Sequence, residues 1–143
     1  MKAVIYARVS SIGDRQSTTR QVADLMKYAQ YKEYEVVRIF EERGSGGKKN
    51  KDRPILLEAI SFCIKMNIDT ILVSELSRVG RNAFEVLDTI NILKENNINI
   101  FLQKENFTLL DENGKPSLFA PVLLATLATC AEMERDNISH RLN

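Results

Sequence analysis

Apolar residues recur along this chain with two alternating periods, and the alternation sketches a fold before any chemistry is considered. Residues 2–7, Lys2-Ala-Val-Ile-Tyr-Ala7, are nearly all apolar and are followed by Arg8 and Ser10. A short apolar run bounded by polar residues predicts a buried strand. Over residues 18–30 the period becomes helical, with Val22, Leu25, Met26 and Ala29 on one stripe. Residues 35–40, rich in Val, Ile and Phe, predict a second strand that stops at Glu41-Glu42-Arg43. Gly and Lys dominate residues 44–53, which predicts a mobile loop. Pro54 suits the first turn of a helix reaching about residue 66, with Leu56, Leu57, Ile60 and either Cys63 or Ile64 inward.

The same alternation continues. Residues 69–73 predict a third strand, apolar enough for the centre of a parallel sheet. Residues 83–95 predict a helix with Phe84, Leu87, Ile90 and Leu93 on its core stripe, ended by Asn96-Asn97. Residues 99–103 predict a fourth strand, and 107–110 a short fifth before a turn at 111–114. Strands alternating with helices of this length imply an α/β fold, a mostly parallel four- to five-stranded sheet flanked by helices. The last element begins between residues 117 and 121 and is a long helix to the end of the chain. From Val122 to Ala131 it is apolar or small on nearly every face, unlike a surface helix with one stripe. Two coverings satisfy it: a second subunit, or burial within one domain. The expected division is an α/β domain over 1–117 and the start of a long oligomerisation helix over 118–143.

Composition narrows the class. A chain of 143 residues with 44% hydrophobic residues is one domain's worth and can bury a core of ordinary size. Its net charge of +1 is no overall footprint of a nucleic-acid binder, so any anionic partner must be met by a local cluster. Cys63 and Cys130 stand alone, without C-x-x-C or secreted-type spacing, and read as buried free thiols. No secretory signal pattern opens the chain, and residues 118–131, the longest apolar stretch, are too few to span a bilayer. The expectation is a soluble, cytoplasmic protein with no membrane partner.

The chemistry gathers at strand ends, where sites are built in open α/β sheets. Arg8 and Ser10 share parity and so face the same way, a hydroxyl beside a guanidinium, which suits attack on a phosphate. The plain alternative is a solvated Arg with a helix-capping Ser. Ser45 and Arg53 follow the second strand, and Arg78 and Arg81 follow the third. Guanidinium forks bind phosphate bidentately and remain charged at any working pH, so this convergence points to an anion. Other chemistries lack their parts. His140 is the only histidine and lies far along the chain, leaving a Ser-His-Asp triad on Ser10 without a base. There is no H-x-x-x-H, no Asp-x-Asp and no cysteine pair for a metal. The Gly44-Ser-Gly-Gly-Lys-Lys49 run lacks the spacing of a P-loop.

Taken together, Tyr6-Ala-Arg-Val-Ser10, Gln21, Ser45-Gly46 with Arg53-Pro54, Leu76-Ser-Arg-Val-Gly-Arg81 and Glu134-Arg135 appear in the order seen in serine recombinases. The chain resembles the catalytic domain of the resolvase/invertase family along essentially its whole length. The resemblance implies that Ser10 is the nucleophile and that Arg8, Arg53, Arg78 and Arg81 bind the phosphate. Gln21, Ser45, Ser77, Glu134 and Arg135 are then supporting positions. It implies double-stranded DNA as substrate, a 5′-phosphoserine link with a free 3′-hydroxyl, and rejoining without metal or nucleotide cofactor. It further implies a homodimer built on the long helix, a tetramer on synapsis, no small-molecule substrate, and a DNA-binding region beyond the last helix. Ser77 departs from the Asp that many members carry there. The acceptor of the Ser10 proton stays open among water, the phosphate itself and the field of the arginines. Two readings compete: a catalytically impaired synapsis or regulatory module of the same fold, and a flavodoxin-like domain binding a phosphorylated small molecule.

Overall fold

The structure, a computed structural model, describes residues 1–9, 18–43 and 54–142, with side chains as far as residue 136. Five strands form one sheet in the order β2-β1-β3-β4-β5. They are β1 (Lys2–Val9), β2 (Glu35–Arg43), β3 (Thr70–Val73), β4 (Asn99–Leu102) and β5 (Phe107–Thr108). The first four run parallel, and β5 returns antiparallel along β4. Four helices join them: α1 (Thr18–Tyr31), α2 (Pro54–Met66), α3 (Ala83–Glu95) and α4 (Ala120–Leu142). The expected α/β class, mostly parallel sheet and long last helix are therefore present.

Central position explains the sequence of β1. It pairs with β2 on one side and β3 on the other and is buried from Ala3 to Val9, so nothing polar precedes Arg8 within it except Lys2 at its start. Alternate residues serve opposite faces. Ala3 and Ile5 join Leu25, Ala29, Leu72 and Phe101 under α1, where Tyr28 stacks on Phe101 with ring centroids 3.8 Å apart. Val4 and Tyr6 join the larger cluster under α2, α3 and the start of α4. Two helices end alike. Asn67 and Asn97 adopt φ of 52° and 56°, and Ile68 N–H and Ile98 N–H donate back to the Cys63 and Leu93 carbonyls. This six-residue closure seats a buried Ile just past each helix and lets an Asn, tolerant of left-handed backbone, make the turn into the next strand.

Several expectations need correction. Strand β2 continues through Glu41-Glu42-Arg43, because β1 supplies hydrogen-bonding partners as far as Val9. Strand β5 is two residues long, and β4 ends at Leu102. The inward stripes are rotated: Met26, Leu57 and Phe84 are exposed, whereas Ala59 and Val86 face the core, and of the two alternatives on α2 Cys63 is the inward one and Ile64 is exposed. In α2 the cause is that residues 55–64 are apolar at most positions, so periodicity leaves the rotation free and the sheet decides it. Cys63 is buried, which pushes its thiol from the ordinary 9.0 up to about 12 and leaves it a poor nucleophile. Cys130 is only half-buried, contrary to expectation, because α4 is covered on one side. Ala120, Leu127 and Ala131 of α4 are buried and Leu124 packs on the core, while Val122 and Met133 are exposed. No helix among the described residues is long and apolar enough to cross a membrane.

Candidate active site

The strand order reverses at β1, whose neighbours are β2 on one side and β3 on the other. Crevices form outside the carboxyl ends of strands at such a switch point. Arg8 lies there, at the end of β1, with the residues after β3 beside it. Its guanidinium is buried, 5% exposed, and Nη2 donates to the Ser77 carbonyl at 2.8 Å. The Arg8 main chain is clamped by one side chain. Gln21 Nε2 donates to the Arg8 carbonyl at 2.9 Å while Gln21 Oε1 accepts from Arg8 N–H at 3.2 Å. Ser74 Oγ at the end of β3 also donates to Gln21 Oε1, at 3.3 Å. A single amide on α1 thus holds two strand ends in register.

Past Ser74 the chain makes one 3-10 turn, Leu76–Arg78, closed by Arg78 N–H on the Glu75 carbonyl and Val79 N–H on the Leu76 carbonyl, both at 3.1 Å. Glu75 is the charge at the centre of this turn. Its Oε1 accepts from Ser77 Oγ at 3.0 Å and lies 3.3 Å from Arg78 Nη2, and its Oε2 lies 3.3 Å from Lys104 Nζ. Partial burial works to raise the Glu75 pKa, but the Ser77 hydrogen bond and the Lys104 and Arg78 charges outweigh it and hold the carboxyl below the usual range. Arg78 Nε is buried with no hydrogen-bond partner among the described residues. A donor kept dry and unanswered in an arginine crevice suits an incoming anion.

Gly80 fixes how closely α3 approaches. A Cβ there would meet Val86 N at 2.6 Å and Val86 Cγ2 at 2.7 Å, both inside van der Waals contact. The need is for space between Arg78 and Arg81, since no unusual backbone angle is required. Gly80→Ala is expected to push α3 away from the turn and to lower stability by about 1–3 kcal/mol, as overpacked sites do. Urea unfolding measures it, and an unchanged midpoint would mean the turn yields freely. Arg81 is exposed, with its N–H donating to Glu85 Oε1 at 2.9 Å. At the N-terminus of α3, Asn82 Oδ1 accepts from Glu85 N–H at 3.0 Å and Glu134 Oε1, reaching from α4, accepts from Ala83 N–H at 3.2 Å. Carboxylates are favoured at such orphan donors. Glu134 therefore ties α4 to the helix that follows the arginine turn. Arg135 is exposed on α4.

Of the residues singled out from the sequence, Arg8, Gln21, Ser77 and Arg78 meet at one crevice, and Arg81 and Glu134 lie at the adjoining start of α3. Ser10, Ser45 and Arg53, with the Gly/Lys loop, lie outside the described residues. Sequence reasoning left two carboxylates unassigned. Glu75 has the parity of Ser77, but a shared face required β3 to continue that far; β3 ends at Val73, and a 3-10 turn brings the two side chains together instead. Glu42 is buried, 5% exposed, where its Oε1 accepts from Tyr6 Oη at 2.6 Å and from Leu56 N–H at 3.3 Å, and its Oε2 accepts from Ile55 N–H at 3.0 Å. It is the N-terminal cap of α2, delivered from β2. A signal existed, because Glu42 has the parity of buried Phe40, and an acid on a buried face demands partners. No group of three or more His, Cys, Asp or Glu that could hold a metal occurs among the described residues.

Comparison with known proteins agrees with this geometry. Residues 3–143 match the family described as Resolvase, N terminal domain. A resolvase of Clostridium perfringens (strain 13 / Type A) is 31% identical over 95% of this chain and 65% of its own length. The transposon Tn552 resolvase of Staphylococcus aureus is 33% identical over 95% of this chain and 61% of its own length. The chain thus spans a little under two thirds of these relatives. Among solved structures, the N-terminal catalytic domain of TP901-1 integrase superposes with a TM-score of 0.75 at 27% identity, covering 95% of this chain and 98% of that one. With the arginine crevice at the switch point and a match running from β1 through α4, this chain belongs to the resolvase family as its N-terminal domain.

Proposed function

We propose that this domain cuts and rejoins double-stranded DNA at specific sites through a covalent 5′-phosphoserine on Ser10. The observation that carries the reading is the 2.8 Å bond from Arg8 Nη2 to the Ser77 carbonyl. It draws the end of β1, two residues before Ser10 in sequence, and the Leu76–Arg81 stretch into one anion-seeking crevice. Arg8 and Arg78, joined by Arg53 and Arg81, hold the scissile phosphate and collect the charge that develops on its oxygens. Ser10 Oγ bonds to phosphorus, the bond to the 3′-oxygen breaks, and that oxygen leaves with a proton as a free 3′-hydroxyl. The phosphodiester's energy is kept in the Ser10 ester, so the reverse attack reseals the strand. Gln21 acts as a positioning residue by holding the Arg8 backbone, and Ser45, Ser77, Glu134 and Arg135 support the crevice.

The partners follow from the same reading. Residues 118–143 form the oligomerisation element. Its uncovered side, with Val122 and Met133, pairs with a second copy, and two such dimers join when sites synapse in the cytoplasm. Sedimentation equilibrium is expected to show a dimer in concentrated solution, and monomer alone would remove this part. The catalytic reading is tested with duplex DNA taken from beside the protein's own gene and a denaturing gel. Wild type is expected to give a slow band of protein joined to a 5′ DNA end, absent with Ser10→Ala. An adduct persisting in Ser10→Ala would move the nucleophile elsewhere, and binding without adduct in both would favour a regulatory module.

A further inference from the structure

The turn after β3 contains a device that the site residues named so far do not explain. Arg78 is 20% exposed at its side chain and is oriented by one carboxylate, that of Glu75, at 3.3 Å. That carboxylate is in turn held from two sides, by Ser77 Oγ at 3.0 Å and by Lys104 Nζ at 3.3 Å, while the backbone beneath it is fixed by the turn, in which Arg78 N–H closes on the Glu75 main-chain carbonyl at 3.1 Å. The Ser77 carbonyl meanwhile receives Arg8. Residues 75–78 therefore touch both guanidiniums, and Glu75 supplies the negative charge between Arg78 and Lys104. Without it, Arg78 and Lys104 would have no negative charge between them.

We propose that Glu75 is the positioning residue for Arg78, tethered by the Ser77 hydroxyl, so that the pair Glu75 and Ser77 does together what one acidic side chain at position 77 would do alone. Glu75 sets the direction of the Arg78 fork and leaves Nε free for the phosphate. The orienting role rests on this geometry, and only its consequence for cleavage rests on the recombinase reading. A second acid at position 77 with Glu75 still present would crowd two like charges on one guanidinium, so Ser77→Asp alone is expected to bring no gain.

The test uses the full-length protein and two readouts. The first is the arginine Nε–Hε resonance of Arg78 by NMR, assigned by its loss in Arg78→Lys. It is expected as a distinct, slowly exchanging signal in wild type, averaged into the free-arginine envelope in Glu75→Gln, and restored in the double variant Glu75→Gln/Ser77→Asp. The second is the rate of adduct formation on the same duplex, expected to fall at least about tenfold in Glu75→Gln, or roughly 1.4 kcal/mol of barrier, and to return in the double variant. An unchanged Arg78 signal in Glu75→Gln overturns the proposal, as does a slowed reaction with that signal intact. If Glu75→Gln does not fold, Ser77→Ala, which cuts only the tether, decides by the same signal. Should wild type form no adduct, the recombinase reading fails while the resonance still decides the role of Glu75.

Discussion

Arg8→Ala is expected to slow formation of the protein–DNA adduct by about a thousandfold or more, the scale on which transition-state arginines act in phosphoryl transfer. The guanidinium is almost wholly buried at the end of β1, with one Nη on the Ser77 carbonyl, so its direction is settled before DNA arrives. An oriented donor in a dry crevice costs no reorganisation at the moment of reaction, which is where most of its effect on the barrier lies. Arg8→Lys is expected to recover little, because an ammonium can neither fork across two phosphate oxygens nor span to Ser77 while facing the substrate. Single-turnover cleavage on the denaturing gel measures the rate, and filter binding the affinity. Most of the loss should fall on the rate, with affinity lowered far less. A rate within tenfold of wild type would place Arg8 in a purely structural role.

The second large effect concerns stability. Glu42→Ala is expected to destabilise the domain by about 4 kcal/mol, since it strips a buried hydroxyl and two helix-terminal amides of their shared acceptor at once. Its carboxylate joins Tyr6 of β1, β2 itself and the first turn of α2, where Pro54 starts the helix and leaves the next amides without intrahelical partners. The melting temperature should fall by roughly 10–15 °C. Glu42→Gln keeps an acceptor for Tyr6 but turns its amide NH2, a donor, toward a backbone N–H, and should cost about half as much. Thermal unfolding followed by circular dichroism is the measurement. A fall of under 2 °C for Glu42→Ala would show that the cap is dispensable and that water replaces it.

Legibility varied with the range of the interaction that set each feature. The four parallel strands were readable because each is a short apolar run whose pattern is local, and the end of α3 was readable because Asn96-Asn97 stops its pattern; that Asn67 closes α2 in the same way emerged from the structure. The rotation of α2 was not readable, because its apolar positions ring most of the helix. The arginines were readable as a set by residue type. Their orientation was not, because Arg8 is aimed by a carbonyl 69 residues along the chain, and Arg78 meets Glu75, three residues before it, only through the 3-10 turn that follows β3.

What the sequence by itself determined is the inventory and its order: alternating strand and helix, arginines and serines stationed at strand ends, and a last helix too apolar for one face to account for. Only the tertiary structure decided which of these groups meet. Placing β3 and β2 on opposite sides of β1 brings Arg8 to Ser77 across 69 residues and Tyr6 to Glu42 across 36. Strand order is settled by how whole faces bury against one another, a sum over the entire core, and a buried charge finds its partner only after that sum has been made.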